Sequence, residues 1–506
     1  MPSVLGVAFG PFSTKTTITH NYKLRAQEDT DVDQLINSIS SILWSRPMII
    51  LCLGAGLLFS VSTRFLQVRY FKEMLRQIIA KKKSDEGISP FQSLVLSLSG
   101  RLGTGNIAGV ATAIAYGGPG AIFWMWFIAF LGAGSAFAES TLGQIYKTKE
   151  KDGFRGGPAF YIEKGIGSRG YAVLFSASVI LAYIIFVPGV QANTISMSVQ
   201  YAFSIPPAIT GVAMVISLIF LLKGGIKGYA KFSEVVIPVM AIGYILVAWI
   251  IIAVNFREVP AAFMLIMSSA FGYDEVFGGI LGSAISYGIR RGVFSTEAGQ
   301  GSQVSAAAAA STDHPVKQGL VQSFSVYIDT FIVNSSTAFM LLVTGAYNVF
   351  TPQREILVSH LPYYVEPGSD FTIYAVDSVF AGFGATIIAI AIFLFAYTIF
   401  VTYYYVAETN LMYIMKGKQS KFMLFVLQVL FLFFIFRGSV SPSETAWAMA
   451  DIGVGITVYL NLIAIIMLYK PLMRCFKDYE SQYKKGKNPV FNSKKAGIKN
   501  AGFWEK

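Results

Sequence analysis

Uncharged runs long enough to cross a bilayer recur along the chain, separated by short polar stretches. From Leu102 to Ala138 no charged residue occurs in 37 positions, and from Gly170 to Leu222 none occurs in 53. A helix needs about 20 apolar residues to span the hydrocarbon, so each run holds more than one crossing. Gly117-Gly118-Pro119-Gly120 divides the first run and Pro206-Pro207 the second. The pattern predicts 11 transmembrane helices: 47–63, 91–116, 120–145, two within 170–222, 235–256, 276–312, 318–346, 376–412, 422–437 and 444–469. The fold class expected is an all-α polytopic membrane protein. Residues 1–40 are mixed polar and show no signal-peptide pattern; 41–470 form the transmembrane domain, and 471–506 a basic tail.

Two of these helices are interrupted. Ser99-Gly100-Arg101-Leu102-Gly103-Thr104-Gly105-Asn106-Ile107-Ala108-Gly109 carries four glycines, each costing roughly 1 kcal/mol against alanine in a helix interior. Small residues at this spacing also serve close helix crossings. A similar break recurs at Arg290-Arg291-Gly292-Val293-Phe294-Ser295-Thr296-Glu297-Ala298-Gly299-Gln300-Gly301-Ser302, and the recurrence favours broken helices that hold a solute or an ion. With the extra helix 47–63 set aside, repeat one (91–256) and repeat two (276–469) hold five spans each. An odd number inverts the second repeat. Inverted repeats with a broken first helix are the pattern of secondary transporters.

Composition agrees: 54% of the residues are hydrophobic and 13% charged, against about a quarter charged in soluble domains. Two cysteines and three histidines lie too far apart in sequence to suggest a disulfide framework or a zinc centre. The net charge of +12 would suit nucleic acid, but its distribution excludes that reading. Basic residues gather in alternate loops: Arg69, Lys72, Arg76 and Lys81-Lys82-Lys83, then Lys147 to Arg169, then Lys223, Lys227 and Lys231, then Lys416, Lys418 and Lys421. The tail from Lys470 completes the set. These loops fall on one face, which the positive-inside rule makes cytoplasmic. The expected topology in the plasma (inner) membrane is N-terminus outside and C-terminus inside. No GxxxxGK[ST] loop is present for ATP drive, no nucleophile–base pair for an enzyme is legible, and no cofactor or obligate protein partner is expected.

At the first break the amides of Gly103, Thr104, Gly105 and Asn106 lack helix partners, and a half-helix starting near Ile107 points its positive end at them. That suits a carboxylate. The carbonyls near Ser99 to Leu102 suit a cation, and Asn106 offers a hard oxygen that fits Na⁺. Glu297 lies inside the second break, with Arg290 and Arg291 two turns before it. Adjacent arginines point about 100° apart on a helix, which predicts that they do not share one site. Phe294 either walls a small pocket or packs. Gln191, Thr194 and Ser198 share one face of their helix, and Ser325, Asp329 and Ser336 share another. Thr398 and Thr402 lie one turn apart beside Tyr403. Asn106, Ser99, Thr398 and Thr402 are the cation-binding candidates; Arg290, Arg291, Glu297 and Asp329 are structural or gating charges.

Several stretches are long and specific. GTGNIAGVATAI (103–114), GGPGAIFWMW (117–126), RGGPAFYIEKGIG (155–167), GVQAN (189–193), RGVFSTEAGQGS (291–302), HPVKQGL (314–320) and YIDTF (327–331) resemble the alanine or glycine:cation symporter family. The resemblance runs from about residue 40 to 491. It implies a leucine-transporter-type fold and uptake of small neutral amino acids driven by Na⁺, in some members by H⁺. Carried over position by position, substrate contacts fall on Thr104, Gly105, Asn106, Gln191 and Phe294. In the ninth span the pattern departs, with Ile399 at the family's usual threonine and Tyr403 at its usual tryptophan; Thr398 is adjacent. Thr296 stands where many relatives carry asparagine. The competing class is a passive channel, which saturable, gradient-dependent uptake would exclude.

Overall fold

The computed structural model describes residues 31–79, 87–150, 153–222, 225–362, 365–417 and 420–505. Lys81-Lys82-Lys83, Lys223 and Lys418, used in the charge argument, lie outside the described residues, as do residues 1–30.

The chain is helical almost throughout. α1 (Asp31–Leu43) and α2 (Arg46–Ser62) meet at a 40° bend. α3 (Pro90–Arg101) and α4 (Val110–Gly117) flank the first break, and α5 (Ala121–Ile145) follows the glycine turn. α6 (Arg169–Leu181), α7 (Pro188–Phe203), α8 (Pro207–Leu221) and α9 (Gly225–Val254) complete the first half. α10 (Val259–Ala270) leads to α11 (Leu281–Thr296) and α12 (Val304–Ala309), which flank the second break. Then come α13 (Pro315–Tyr327), α14 (Ser335–Thr344), α15 (Ser369–Asp377), α16 (Gly384–Ile414), α17 (Lys421–Val440), α18 (Ser443–Met467) and α19 (Tyr469–Lys484). Every stretch expected to span holds a helix. Among the described residues 7 helices are long and apolar enough to cross unaided, and the α1–α2 pair makes up to 8. The remainder are short or broken.

Proline starts many of them at positions where its missing N–H is no loss. At α3 the start is doubly fixed: Ser89 Oγ accepts the Gln92 N–H, and Gln92 Oε1 accepts the Ser89 N–H. α5 is the packing centre, its inner two-thirds almost wholly buried. α11 crosses it through Gly288 and Gly292, where an added Cβ would lie 2.5 Å from the Ala121 carbonyl oxygen and 2.4 Å from Ile128 Cγ2. Small residues four apart let the backbones approach this closely.

The structure refines the sequence reading in four places. Residues 31–43 form α1, which leads through the bend into α2 and the expected span 47–63. The stretch 347–374, between the expected spans 318–346 and 376–412, carries elements of its own. After β1 (Thr148–Glu150) and β2 (Gly153–Arg155), which pair in the loop beyond α5, it supplies a second hairpin, β3 (Asn348–Phe350) with β4 (Ile356–Ser359), and most of α15. α9 begins ten residues before the expected 235, so Lys231 is helical rather than in a loop. The tail is docked: Trp504 Nε1 donates to the Gln144 carbonyl at 2.8 Å, and the Phe491 N–H to the Asp313 carbonyl at 2.9 Å.

Candidate functional site

The two breaks meet at the centre of the fold. The first runs through Leu102, Gly103 and Thr104. A π-helical turn then spans Gly105–Gly109, so the second half-helix starts two residues earlier than Ile107. The break's amides are not left bare. Gly103 N–H donates to Asn106 Oδ1 at 2.8 Å, and Thr104 N–H to Gln191 Oε1 at 3.2 Å. Asn106 N–H returns to the Gly103 carbonyl at 3.2 Å. Side chains hold two of the four amides that the sequence reading offered to a carboxylate, those of Gly103 and Thr104.

Asn106 sits against a buried cluster of oxygens, and it meets them with its amide nitrogen: the expected hard oxygen toward a cation is not there, because Oδ1 is turned to the Gly103 N–H. Asn106 Nδ2 donates to Asp329 Oδ1 at 2.6 Å, Asn334 Oδ1 at 2.7 Å and Ser295 Oγ at 3.2 Å. Ser295 Oγ donates to both Asp329 oxygens at 2.9 and 3.1 Å, and Thr330 Oγ1 to Asp329 Oδ2 at 2.8 Å. None of the five residues exceeds 3% exposure. A carboxyl group among neutral hard oxygens is the ligand type that a hard cation takes.

Ser295, Thr330 and Asn334 escaped the sequence reading, and the reason is local. Residues Ile328–Asn334 form a π-helix, whose i→i+5 turns align residues five apart. Asp329 and Asn334 therefore face one point. The same shift ends the expected alignment with Ser325 and Ser336, which bond the Gln322 and Ile332 carbonyls of their own helix. A regular helical period carries no mark of such a turn; the polar spacing Asp329–Asn334 was its only trace.

The second break is held from both sides. Glu297 takes a left-handed conformation (φ +48°), and Gly299 and Gly301 have φ of +86° and +81°. Ser302 Oγ donates to Glu297 Oε2 at 2.6 Å, and Gln303 donates to the same oxygen. Glu139 of α5 accepts the Gly299 and Gly301 N–H groups at 3.3 and 3.1 Å. Tyr403 lies 4.8 Å, ring to ring, from Tyr183, whose hydroxyl donates to Gln300 Oε1 of the second break at 2.9 Å. Ile399 Cδ1 lies 2.0 Å from where a Gly103 Cβ would be, and Phe294 Cδ1 3.2 Å from that of Gly105. Ser99 and Thr402 come together, hydroxyl to hydroxyl at 2.6 Å. Thr398 does not join them: its Oγ1 bonds the Phe395 carbonyl of its own helix at 2.9 Å.

Over residues 29–493 the chain matches the model of the sodium:alanine symporter family. The chain belongs to that family. It is 50% identical over 433 residues to the sodium/proton-dependent alanine carrier protein of Bacillus sp. (strain PS3), spanning 85% of this chain and 97% of that one. It is 41% identical over 462 residues to the "Probable sodium/glutamine symporter GlnT" of Bacillus subtilis (strain 168), spanning 91% and 93%. Among solved structures it is similar to MhsT in complex with L-phenylalanine, with a TM-score of 0.54 at 15% identity over 80% of this chain and 94% of that one. The fold is of leucine-transporter type. The protein is a multi-pass membrane transporter and not an enzyme.

In this symporter two groups of contacts flank the breaks. Toward the start of α11, Arg290 and Arg291 both bond Asp451 Oδ2 of α18, the latter at 2.6 Å. The expectation that they serve separate sites fails because Asp451 comes from another helix and lies between their two directions, within reach of both long side chains. Arg291 lies 4.4 Å over Trp447 and 5.5 Å over Phe294, which is 5.2 Å from Trp447. On the opposite side the Ile88 N–H donates to the Ala309 carbonyl at 3.1 Å, and Ser311 N–H to Ile88 at 2.9 Å. Lys147 Nζ donates to the Ala310 carbonyl at 3.0 Å, and burial pulls its ammonium down to about 7.

Proposed function

We propose that the protein is a secondary active transporter that imports alanine and glycine with Na⁺ by alternating access. The observation that carries this reading is the oxygen cluster of Ser295, Asp329, Thr330 and Asn334, gathered on the Asn106 amide at the meeting of the two breaks. The substrate carboxylate would take the Gly103 and Thr104 amides in place of Asn106 and Gln191, and its side chain would face Gln191, Phe294 and Tyr403. Ile399 and Phe294 crowd Gly103 and Gly105, which supports alanine or glycine over glutamine, the substrate in one relative's name. Arg101, 1% exposed, has three carboxyl groups around it, those of Glu139, Asp329 and Glu297, and this acidic lining supports a co-transported cation. The basic loops support an external N-terminus and cytoplasmic C-terminus. Proton coupling through one of these buried carboxyl groups is the second reading, favoured by their burial.

The test is labelled-alanine uptake into proteoliposomes under separate Na⁺ and H⁺ gradients. Saturable uptake driven by Na⁺ is expected, with leucine a weak competitor. Asp329→Asn should raise the half-saturating Na⁺ concentration about tenfold or more, and Phe294→Ala should let larger apolar amino acids compete. Uptake that follows H⁺ and ignores Na⁺ would move the protein to the second reading. Unsaturable flux indifferent to both gradients would make it a channel.

A further inference from the structure

The N-terminal helices contribute no residue to the site, yet they reach the charges that flank it. α1 lies along α18, with Thr445 Oγ1 donating to Asp33 Oδ1 at 2.7 Å. At the bend into α2, Trp44 Nε1 donates to the peptide carbonyl of Asp451 at 2.9 Å. Arg290 lies 5.8 Å over the Trp44 ring and donates to Ser40 Oγ at 2.5 Å. So Asp451, the acceptor that Arg290 and Arg291 share, is fixed through its backbone by Trp44, and Arg290 is fixed by Ser40. Trp44 is 5% exposed and Ser40 2%.

We infer that Trp44 and Ser40 are positioning residues of the gate on this side: the bent N-terminal helix pair holds the Arg290–Asp451–Arg291 cluster closed over Phe294 and Trp447. Opening the site here moves α11 relative to α18, and the cluster cannot part without breaking the contacts to α1. Trp44 follows Ser40 by one turn, and its N–H donates to the Ser40 carbonyl at 3.0 Å where α1 ends. The inference rests on the transporter reading for what the gate admits, but not for the gate's mechanics.

The experiment uses full-length protein in detergent, so that neither topology nor coupling enters. Cys52 and Cys475 are replaced by alanine, and Gly109→Cys places a reporter between the cluster and the pocket. An added Cβ at Gly109 meets nothing nearer than Trp447 at 3.7 Å. Maleimide labelling of this thiol should run about fivefold faster or more in Trp44→Ala, the range one lost hydrogen bond and a ring contact produce. Trp44→Phe keeps the ring and should fall between; Ser40→Ala should give a smaller rise that disappears in an Arg290→Gln background, because the two act through one contact. Thermal unfolding of each variant identifies any that fail to fold, and Trp44→Phe and Ser40→Ala then decide. Folded variants that all label at the wild-type rate would overturn the inference. Slowing of wild-type labelling by alanine with Na⁺ checks the transport reading separately.

Discussion

Every polar group of Asn106 is engaged: the amide oxygen by Gly103, the amide nitrogen by three side chains, the N–H by the Gly103 carbonyl, and the carbonyl by Thr337 Oγ1 at 2.7 Å. A residue so fully tied is a fixed frame for whatever binds beside it. His314 is tied in another way. Its Nδ1 accepts the Val316 N–H at 3.2 Å, so Nε2 carries the proton toward Asp478 Oδ2, also at 3.2 Å. Burial holds its pKa below the ordinary histidine value, against the opposing pull of Asp478. The unfolded chain takes up this proton near pH ~6.5 and the folded one resists to lower pH. Stability is therefore lost as pH falls below that value. Thermal unfolding in detergent should show a decline in melting temperature from about pH 7 to pH 5 that His314→Gln reduces. Much at this scale was legible beforehand, because glycine at membrane depth points to its own neighbours: Thr104, Asn106 and Gln191 do lie together. Ser295, Thr330 and Asn334 were not, since a hydroxyl or amide in a helix has no sequence mark that tells a ligand from a packing bond.

Helices were legible where a property of length marks them, and hidden where it does not. Uncharged runs fix the spans because hydrocarbon thickness sets their size. α10 has 12 residues and α15 has 9, too short for that test, and π turns alter direction without altering composition. The crossing of α7 and α17 shows what one atom decides. A Cβ on Gly438 would lie 2.3 Å from the Gly189 Cα and 2.7 Å from its carbonyl oxygen. Backbone cannot yield as a side-chain tip does, so Gly438→Ala must push the helices apart. α7 carries Gln191 two residues from the contact. The variant should lose about 1–3 kcal/mol of stability, read as a lower melting temperature. Its alanine uptake should fall more than that loss of folded protein explains, because Gln191 is displaced.

Across the whole molecule the last residues close a circuit. Lys147, at the end of α5, lies 4.1 Å from the Phe154 ring, 4.6 Å from Phe503 and 5.2 Å from Trp504, while Asn500 Nδ2 donates to the Lys164 carbonyl at 2.9 Å. The tail thus joins the loop beyond α5 to the start of α13, on the side where Ile88 bridges Ala309 and Ser311. Trp504→Ala should free it: limited proteolysis should cut the variant within residues 485–505 while wild type resists, with the transmembrane part intact. The circuit was invisible in sequence, where lysine-rich composition reads as a solvated tail. A different consequence follows from the Thr104 amide resting on Gln191. A co-transporter delivers cargo on one stroke and must make the return stroke with nothing aboard. Bare buried amides would tax that return at roughly 1–3 kcal/mol each, and would confine the carrier to swapping one passenger for another. Gln191 and Asn106 stand in for the missing passenger. On the symporter reading, that substitution is what lets the journey home be made empty, and net accumulation depends on it.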